Sequence, residues 1–234
     1  MDLKEESLVA DPQRHWYYRA KTGAMLRLLG RDAPAAVLDV GAGSGLFSRA
    51  LLRRTSCARA TCVDPGYPGD SDETEAGKPL AFRREVASSK ADLVLMMDVL
   101  EHVADDADLV AAYAGRVGAG TRFLITVPAF QWMWSGHDVL LQHHRRYTLR
   151  QIEAAATRGG LRVVRGCYFY GGVLPLAAAT RLAWRLRGGP PRSQMGEMPA
   201  AVSAILSALC AAELPVMRHN RLGGLSACVL AVRD

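Results

Sequence analysis

Residues 37–45 read VLDVGAGSG, and this stretch decides the fold. The run AAVLDV at 35–40 is short and apolar and is followed by glycines, which is typical of a buried strand. Residues 44–54 then show helical spacing, so the glycines form a turn between a strand and a helix. Because ligands of open α/β sheets bind beyond the carboxyl ends of the strands, this turn is a predicted binding site.

The spacing of the glycines distinguishes two kinds of ligand. Gly41 permits a tight turn, Gly43 lets a ligand touch bare backbone, and the following helix offers unpaired N–H groups to an anion. A dinucleotide turn requires G-x-G-x-x-G, but its sixth position here is Leu46. Asp39 followed by G-x-G-x-G is instead the arrangement common in binding of S-adenosylmethionine (SAM), which has no pyrophosphate.

A second acidic residue favours a nucleoside ligand. Asp64 ends the second predicted strand, where the chain reads CVDPG at 62–66. A carboxylate at that position can accept hydrogen bonds from both hydroxyls of a ribose. We therefore predict that Asp64 holds the ribose diol.

Strand and helix patterns alternate along most of the chain. They predict an α/β fold: a Rossmann-like, open, mostly parallel seven-stranded sheet with helices on both faces. The whole chain, 1–234, is predicted to be a single domain with an N-terminal helix at 14–30. A late helical insertion or cap is predicted at 166–224, with the joint GGPPRSQMGEMP as a loop. The predicted strands cover 35–40, 60–63, 82–86, 93–97, 123–127, 161–164 and 228–232, and residues 67–79 are predicted to be a loop.

Composition limits the class of protein and its partners. Of 234 residues, 50% are hydrophobic, which is enough for a core, and Lys plus Arg exceed Asp plus Glu by 29 to 23. The resulting charge of +6 favours an anionic ligand or membrane surface. The basic residues form no dense run with interleaved aromatics, which argues against a nucleic-acid partner.

Cysteine usage and apolar runs indicate the compartment. The five cysteines form no CxxC pair, so we predict buried free thiols in a reducing cytosol. The start MDLKEES lacks the apolar region of a signal peptide, and no apolar run reaches the ~20 residues of a membrane span. A cytoplasmic protein is expected, and the oligomeric state is left open.

Five segments together resemble one protein superfamily. VLDVGAGSG, CVDPG and ADLVLMMDVLEHVADD (91–106) are similar to successive motifs of small-molecule class I SAM-dependent methyltransferases. The VLEHV stretch is similar to that of the ubiquinone-biosynthesis O-methyltransferases. HWYYRAKTGAMLRLL (15–29) and VPAFQWMWSGHDVLLQHHRRYT (127–148) resemble a bacterial subgroup of the same superfamily. The resemblance covers roughly residues 14–165.

The resemblance implies roles for the residues around the glycine turn. Asp39 is expected to anchor the turn and to help orient the amino group of SAM, and Asp64 to hold its ribose. The methionine part of SAM is expected to lie on Gly41, Gly43 and Gly45. The adenine and sulfonium side is expected to be bordered by Asp98, Val99 and Leu100.

Methyl transfer from a sulfonium depends mainly on alignment, with a base where the acceptor is a hydroxyl. Three histidines that follow the fourth and fifth predicted strands are the candidate bases: His102, His137 and His143. His144 is interpreted as exposed or structural. Oxygen is the preferred acceptor atom, with nitrogen and carbon as alternatives. No metal is predicted, and a site built from His137, Asp138 and His143 is the alternative.

The loop around the HHRRY sequence supplies candidate substrate-binding residues. Its aromatic side chains suit the wall of a hydrophobic acceptor site, or else a loop folded into the core. Its two guanidinium groups suit a phosphate or carboxylate of the acceptor, or else an ion-pair network that ties the loop to the next helix. The candidates are Trp132, Trp134, Asp138, Arg145, Arg146 and Tyr147.

The predicted insertion bears on the acceptor. Leu182, Trp184 and Leu186 alternate with arginines, which suits contact with an anionic membrane surface or a cap over the site. The partner is therefore expected to be a small-molecule or lipid-like acceptor. Three other functions remain open: a non-catalytic SAM-binding protein, a nucleic-acid methyltransferase and an NAD-dependent oxidoreductase.

Overall fold

A computed structural model describes residues 11–187 and 199–234. The strands found there are β1 (Ala36–Val40), β2 (Arg59–Val63), β3 (Ser71–Glu75), β4 (Lys78–Arg83), β5 (Leu93–Met97), β6 (Arg122–Pro128), β7 (Leu161–Phe169) and β8 (Ser226–Arg233). The α-helices are α1 (Trp16–Leu29), α2 (Leu46–Arg54), α3 (Asp106–Ala114), α4 (Gly136–Leu140), α5 (Leu149–Arg158), α6 (Leu174–Arg187) and α7 (Ala200–Glu213). Single 3-10 turns cover Leu100–His102, Gln131–Met133 and Met217–His219.

All eight strands belong to one sheet, in the order β3-β4-β2-β1-β5-β6-β8-β7. The five central strands, from β4 to β6, are parallel, whereas β3 and β8 run antiparallel to their neighbours. The predicted Rossmann-like, mostly parallel sheet is therefore confirmed. The chain leaves β1 toward β2 and later returns to β5 on the other side of β1. This reversal makes the carboxyl ends of β1 and β5 a switch point, which is where open α/β sheets generally bind their ligands.

The eighth strand corrects the prediction that residues 67–79 form a loop. β3 pairs with β4 through a two-residue turn at Ala76 and Gly77, whose φ angles are +53° and +72°. Two positive φ angles are typical of the tight turns that join antiparallel strands. β3 reads SDETE and is mostly exposed, so it lacks the apolar periodicity that predicts a strand. Its glutamates instead pair with Arg49 of α2, at 2.6 and 3.1 Å.

Both faces of the sheet are covered by helices. On one face, Leu38 and Val40 of β1 join a buried cluster with Val110 of α3 and Ile152 of α5. On the other face, Val37 joins a cluster that includes side chains of α1 and α2. All five residues of β5 are buried, as expected for a central parallel strand. The core therefore fixes where the carboxyl ends of β1 and β5 meet.

The late insertion consists of α6 and α7, between β7 and β8. β7 continues to Phe169, so the insertion begins later than the predicted residue 166. Helix α7 packs on α1, where Leu206 and Cys210 share a buried cluster with Trp16 and Ala20. The predicted loop GGPPRSQMGEMP lies almost entirely outside the described residues, as do the side chains of residues 184–187.

Two further expectations concern cysteines and membrane spans. All five cysteines are buried and free, as predicted. None of the helices within residues 11–187 and 199–234 is long and apolar enough to cross a bilayer.

Helix α5 begins with the predicted capping box. The Thr148 hydroxyl accepts a hydrogen bond from the backbone N–H of Gln151, and the Gln151 side chain accepts one from the Thr148 N–H at 2.7 Å. The box satisfies two backbone donors that an uncapped helix leaves unpaired. It thereby fixes where the loop after β6 ends.

We expect Thr148→Ala to lower the free energy of unfolding by about 1 kcal/mol, because the cap hydrogen bond is lost. Thr157→Ala is the matched control, since this exposed threonine lies inside the same helix and bonds only to the carbonyl of Glu153. Alanine is favourable there, so the control should be neutral or slightly stabilising. Urea unfolding measures both variants, and equal losses would contradict the capping role.

Candidate active site

The glycine turn after β1 is held in a conformation that requires glycine. Gly41, Gly43 and Gly45 have φ angles of +61°, +55° and +74°. A Cβ on Gly41 would lie 2.8 Å from Val99 Cγ2, and one on Gly45 would lie 2.9 Å from Cys62 Sγ. The turn is therefore closely packed against β2 and against the segment that follows β5. It lies at the switch point of the sheet, and its contact with SAM stays a prediction.

Asp64 reaches the glycine turn from the end of β2. Its Oδ2 lies 3.3 Å from the Gly43 N–H, and its Oδ1 accepts a hydrogen bond from the Gly66 N–H at 2.8 Å. Tyr67 adds a second link, because its hydroxyl donates to the Gly43 carbonyl at 2.6 Å. The acid and the turn therefore share one edge of the sheet. Contact of Asp64 with a ribose stays a prediction.

Asp39 lies near the end of β1, directly before the glycine turn. It is buried, and its Oδ2 accepts a hydrogen bond from the Ser48 hydroxyl of α2 at 2.8 Å. The strand before the turn is thus tied to the helix after it. Ser48 was not singled out from the sequence, although it lies in the first turn of the helix that follows the glycines.

The segment after β5 contains a buried ion pair that the sequence did not reveal. Asp98 has a φ of +56° and forms a salt bridge with Lys21 of α1, and both side chains are almost inaccessible. Thr126 donates a further hydrogen bond to Asp98 at 3.2 Å. Burial opposes both charges, but each charge stabilises the other. The pKa of Lys21 is therefore raised, and that of Asp98 is lowered, relative to their ordinary values.

Because of this ion pair, the Asp98 carboxylate already has partners within the protein. The side chain expected to border the cofactor is already engaged with helix α1, and Tyr17 adds a contact at 3.5 Å. Of its neighbours, Val99 packs on the glycine turn, whereas Leu100 is fully buried in the core. Lys21 is the one charged residue among the buried positions of α1, and a lysine among the apolar positions of that helix is the signal that the sequence carried.

Glu101 is the second functional candidate that sequence reasoning missed. It is 1% exposed, and neither carboxylate oxygen has a hydrogen-bond partner among the described residues. Burial, together with the charge of Asp98, raises the pKa of Glu101 well above its ordinary value. A buried carboxyl without a partner is costly in free energy and commonly marks a functional site.

The three predicted histidines lie in one cluster. The ring of His143 is 4.7 Å from that of His102 and 6.4 Å from that of His137. His143 Nδ1 lies 3.0 Å from Asp138 Oδ1, so a proton on Nδ1 is favoured and Nε2 is left as an acceptor. The structure therefore assembles the candidate bases from two segments. His144 is exposed, as interpreted.

Asp138 and Arg146 form a buried pair rather than two substrate contacts. Arg146 donates to both oxygens of Asp138, from Nε at 2.6 Å and from Nη2 at 3.0 Å. Burial alone would raise the pKa of Asp138, but the hydrogen bond to His143 and the charge of Arg146 hold it below its ordinary value. Because Asp138 already binds Ser135, His143 and Arg146, it is a poor ligand for the alternative metal site with His137 and His143.

Arg145 and Tyr147 are also engaged with the protein itself. Arg145 donates to the Ala104 carbonyl at 2.6 Å, and the Tyr147 hydroxyl bonds to the Leu100 carbonyl and to Asp106. Burial and the charge of Asp106 raise the pKa of Tyr147. The ion-pair and hydrogen-bond network is thus the alternative that the geometry supports for Arg145, Arg146 and Tyr147.

The aromatic loop after β6 divides into an exposed part and a packed part. Phe130 stacks on Trp132 at 5.8 Å and on Tyr168 at 5.0 Å between ring centroids. Trp132 is 53% exposed, whereas Trp134 is partly buried. Arg181 of α6 donates to the Met133 carbonyl, so the insertion contacts this loop. Contact of Trp132 or Trp134 with an acceptor stays a prediction.

We expect Lys21→Met to destabilise the protein by about 3–5 kcal/mol, because it leaves the Asp98 charge buried and unpaired. The double variant Lys21→Met/Asp98→Asn removes that charge and should recover more than half of the loss. Lys90→Met, at an exposed position, is the control and should stay within about 0.5 kcal/mol of the parent chain. Denaturant unfolding measures all three variants, and a double variant no better than the single one would contradict the pairing.

Several known proteins are similar to this chain. It is 33% identical over 130 residues to the ubiquinone biosynthesis O-methyltransferase of Methylobacterium sp. (strain 4-46), covering 48% of this chain and 50% of that protein. The corresponding enzyme of Hahella chejuensis is 37% identical over 89 residues, covering 33% of this chain and 37% of that protein. The chain thus matches half the length of these relatives or less.

Solved structures share the fold. A Haloferax volcanii putative methyltransferase, in complex with the Trm112 methyltransferase activator, has a TM-score of 0.58 at 17% identity, covering 99% of this chain and 93% of that one. Human N-acetylserotonin methyltransferase in complex with SAM has a TM-score of 0.54 at 12% identity, covering 94% and 52%. The cyclase SpnF has a TM-score of 0.55 at 14% identity, covering 96% and 84%.

The sequence model of one protein family, described as a methyltransferase domain, matches residues 13–165. That range runs from the start of α1 to β7 and includes the glycine turn, Asp64 and the histidine cluster. Because the match covers more than half of the sequence, the chain belongs to the methyltransferase domain family.

Proposed function

We propose that this chain is a SAM-dependent methyltransferase that methylates a hydroxyl oxygen of a small, hydrophobic acceptor. The observation that carries the proposal is the meeting of the glycine turn and Asp64 at the switch point of the sheet, joined through the Gly43 N–H. The O-methyltransferase relatives, at 33% identity, support the reaction class. The fold alone does not select it, because a cyclase has the same fold.

The donor site follows from the chemistry of SAM. The glycine turn and the start of α2 present backbone N–H groups to the methionine carboxylate. Each Asp64 oxygen accepts one backbone hydrogen bond and has a second lone pair for a ribose hydroxyl. The absence of a sixth-position glycine disfavours a dinucleotide and therefore an NAD-dependent oxidoreductase.

The transfer step needs alignment and loss of one proton. The acceptor oxygen attacks the methyl carbon as the bond from that carbon to sulfur breaks, giving a methyl ether and S-adenosylhomocysteine. The hydroxyl proton passes to a base of the histidine cluster. The Asp138 contact orients His143 with Nε2 as the proton acceptor, and His137 is the other candidate.

The side chains near the histidine cluster favour a hydrophobic acceptor over one with an anionic head. Arg145 and Arg146 are engaged with the protein's own acceptors, whereas the exposed Trp132 offers an apolar surface. Helices α6 and α7 serve as a lid, supported by the bond from Arg181 to the aromatic loop.

Exposed apolar side chains on the same insertion support a lipid-like acceptor. They are Leu176 and Leu182 on α6, and Val202, Ile205 and Leu209 on α7. A cytoplasmic enzyme with this surface would rest on an anionic membrane through its insertion, helped by the net charge of +6. The chain would then be one domain with a membrane-facing cap.

We expect Asp64→Ala to weaken SAM binding by at least about 1.5 kcal/mol, roughly tenfold in Kd, because charge-assisted hydrogen bonds to the ribose are lost. Asp32→Ala is the matched control, since Asp32 is exposed just before β1, at the opposite edge of the sheet. Calorimetry on ligand-free protein measures both, with NAD as a competing ligand. Unchanged affinity in a folded Asp64→Ala variant, or binding of NAD instead of SAM, would refute the donor site.

We expect His143→Ala to reduce methyl transfer about 10²-fold or more while leaving SAM affinity unchanged, because it removes a base but no donor contact. His137→Ala tests the alternative base, and His144→Ala is the exposed control from the same loop. The measurement is transfer of labelled methyl groups to hydroxylated aromatic compounds with and without an alkyl tail, and to RNA. SAM binding without turnover on any acceptor would indicate a non-catalytic protein, and transfer to RNA alone a nucleic-acid enzyme.

A further inference from the structure

Three potential metal ligands meet beside the candidate acceptor site. Glu101 and His102 lie in the 3-10 turn after β5, and His143 lies in the loop between α4 and α5. One ligand atom from each residue lies within 4.8 Å of the other two. A tetrahedral ion held about 2.0–2.2 Å from each donor brings the donor atoms to about 3.4 Å from one another, so they must approach by up to about 1.4 Å.

The state of Glu101 points to a missing partner. Its carboxyl group is buried, and both oxygens lack a hydrogen bond among the described residues. The carboxylate of Asp98, earlier in the same segment, does have partners, because it is bound by Lys21 and Thr126. Glu101 is therefore the carboxylate of this segment that is left to bind a cation. Coordination would offset the cost of burying it.

The surroundings of His143 provide an independent argument. Histidines that bind metals usually donate their other ring nitrogen to a carboxylate, which fixes the ring and its tautomer. His143 Nδ1 has such a contact with Asp138, at 3.0 Å, and Asp138 is itself held by Arg146. The remaining nitrogen, Nε2, is then the unprotonated atom that a metal requires. This arrangement orients His143 before any ion arrives.

The donor set indicates the class of cation. Two imidazoles and one carboxylate suit Zn²⁺ and similar transition metals, whereas Mg²⁺ and Ca²⁺ prefer sites built from oxygen. Three protein ligands also leave a coordination position open on a tetrahedral ion. An acceptor hydroxyl that occupies this position would lose its proton more readily, because the ion lowers its pKa.

We infer that Glu101, His102 and His143 bind one divalent transition-metal ion, with Zn²⁺ as the best match, at the acceptor side of the switch point. Binding of the ion depends only on these three residues and their neighbours. Its role in activating the acceptor oxygen rests on the proposed function. With Nε2 of His143 bound to the ion, the acceptor proton passes to His137, the other candidate base.

Metal titration of the full chain tests the site without SAM or acceptor. Chelator-treated protein is titrated with Co²⁺, whose visible absorption reports coordination, and then with Zn²⁺ as competitor. We expect one equivalent to bind, and Glu101→Gln and His143→Ala each to weaken binding at least tenfold. Asp138→Asn should weaken it about 10–100-fold through the orientation of His143. His144→Ala, the exposed neighbour, should change it less than twofold.

Circular dichroism confirms that each variant is folded, and His102→Ala, at a partly exposed position, replaces Glu101→Gln if that variant is not. Absence of a stoichiometric site would overturn the inference, as would wild-type affinity in Glu101→Gln and His143→Ala, or loss of binding only in His144→Ala. SAM binding is measured separately in the presence of chelator. A chain that binds SAM but no metal refutes this inference alone, and a chain that binds metal but no SAM refutes the proposed function alone.

Discussion

The close contact between Gly41 and Val99 is the constraint on which the site depends. The strand order reverses at β1, so the segments that follow β1 and β5 emerge side by side, and a Cβ on Gly41 would lie 2.8 Å from Val99. Gly41 therefore satisfies two demands at once, a positive φ and a close approach. The parallel pairing of β1 with β2 and β5 places Asp64, Asp98 and Glu101 at the same edge of the sheet, and this close approach packs the glycine turn between them.

The sequence predicted those parts of the fold that depend on local chemistry. The glycine turn, the apolar β5 and the capping box at Thr148 each carry their signal within a few residues, and the structure has all three. The β3–β4 hairpin was missed because its strand is polar and is stabilised by ion pairs with Arg49, a residue distant in sequence. Patterns of hydrophobicity carry no information about such a strand.

In the candidate site, too, the sequence predicted features that depend on local signals and missed contacts between residues that are distant along the chain. The candidate histidines were identified because they follow the fourth and fifth predicted strands, and the structure places the ring of His143 4.7 Å from that of His102 and 6.4 Å from that of His137. The Lys21–Asp98 pair joins residues 77 positions apart, so no local pattern could reveal it. Once Lys21 neutralises Asp98, Glu101 differs from its acidic neighbour, and that difference is visible only when both are placed in three dimensions. The two arginines of the HHRRY sequence, likewise, are explained by their partners Asp106 and Asp138.

Asp138 explains how the loop after β6, which has little regular structure, holds its side chains in one arrangement. Its carboxylate accepts hydrogen bonds from Ser135 at the start of α4 and from Arg146 before α5, and it contacts His143 between them. One buried anion thus fixes three points of a segment that has little regular structure. An exposed carboxylate would give weaker and less directional contacts, because water would compete for its lone pairs. The burial of Asp138 is therefore the physical reason that a loop, rather than a helix or strand, can present His143 to the end of β5 in one orientation.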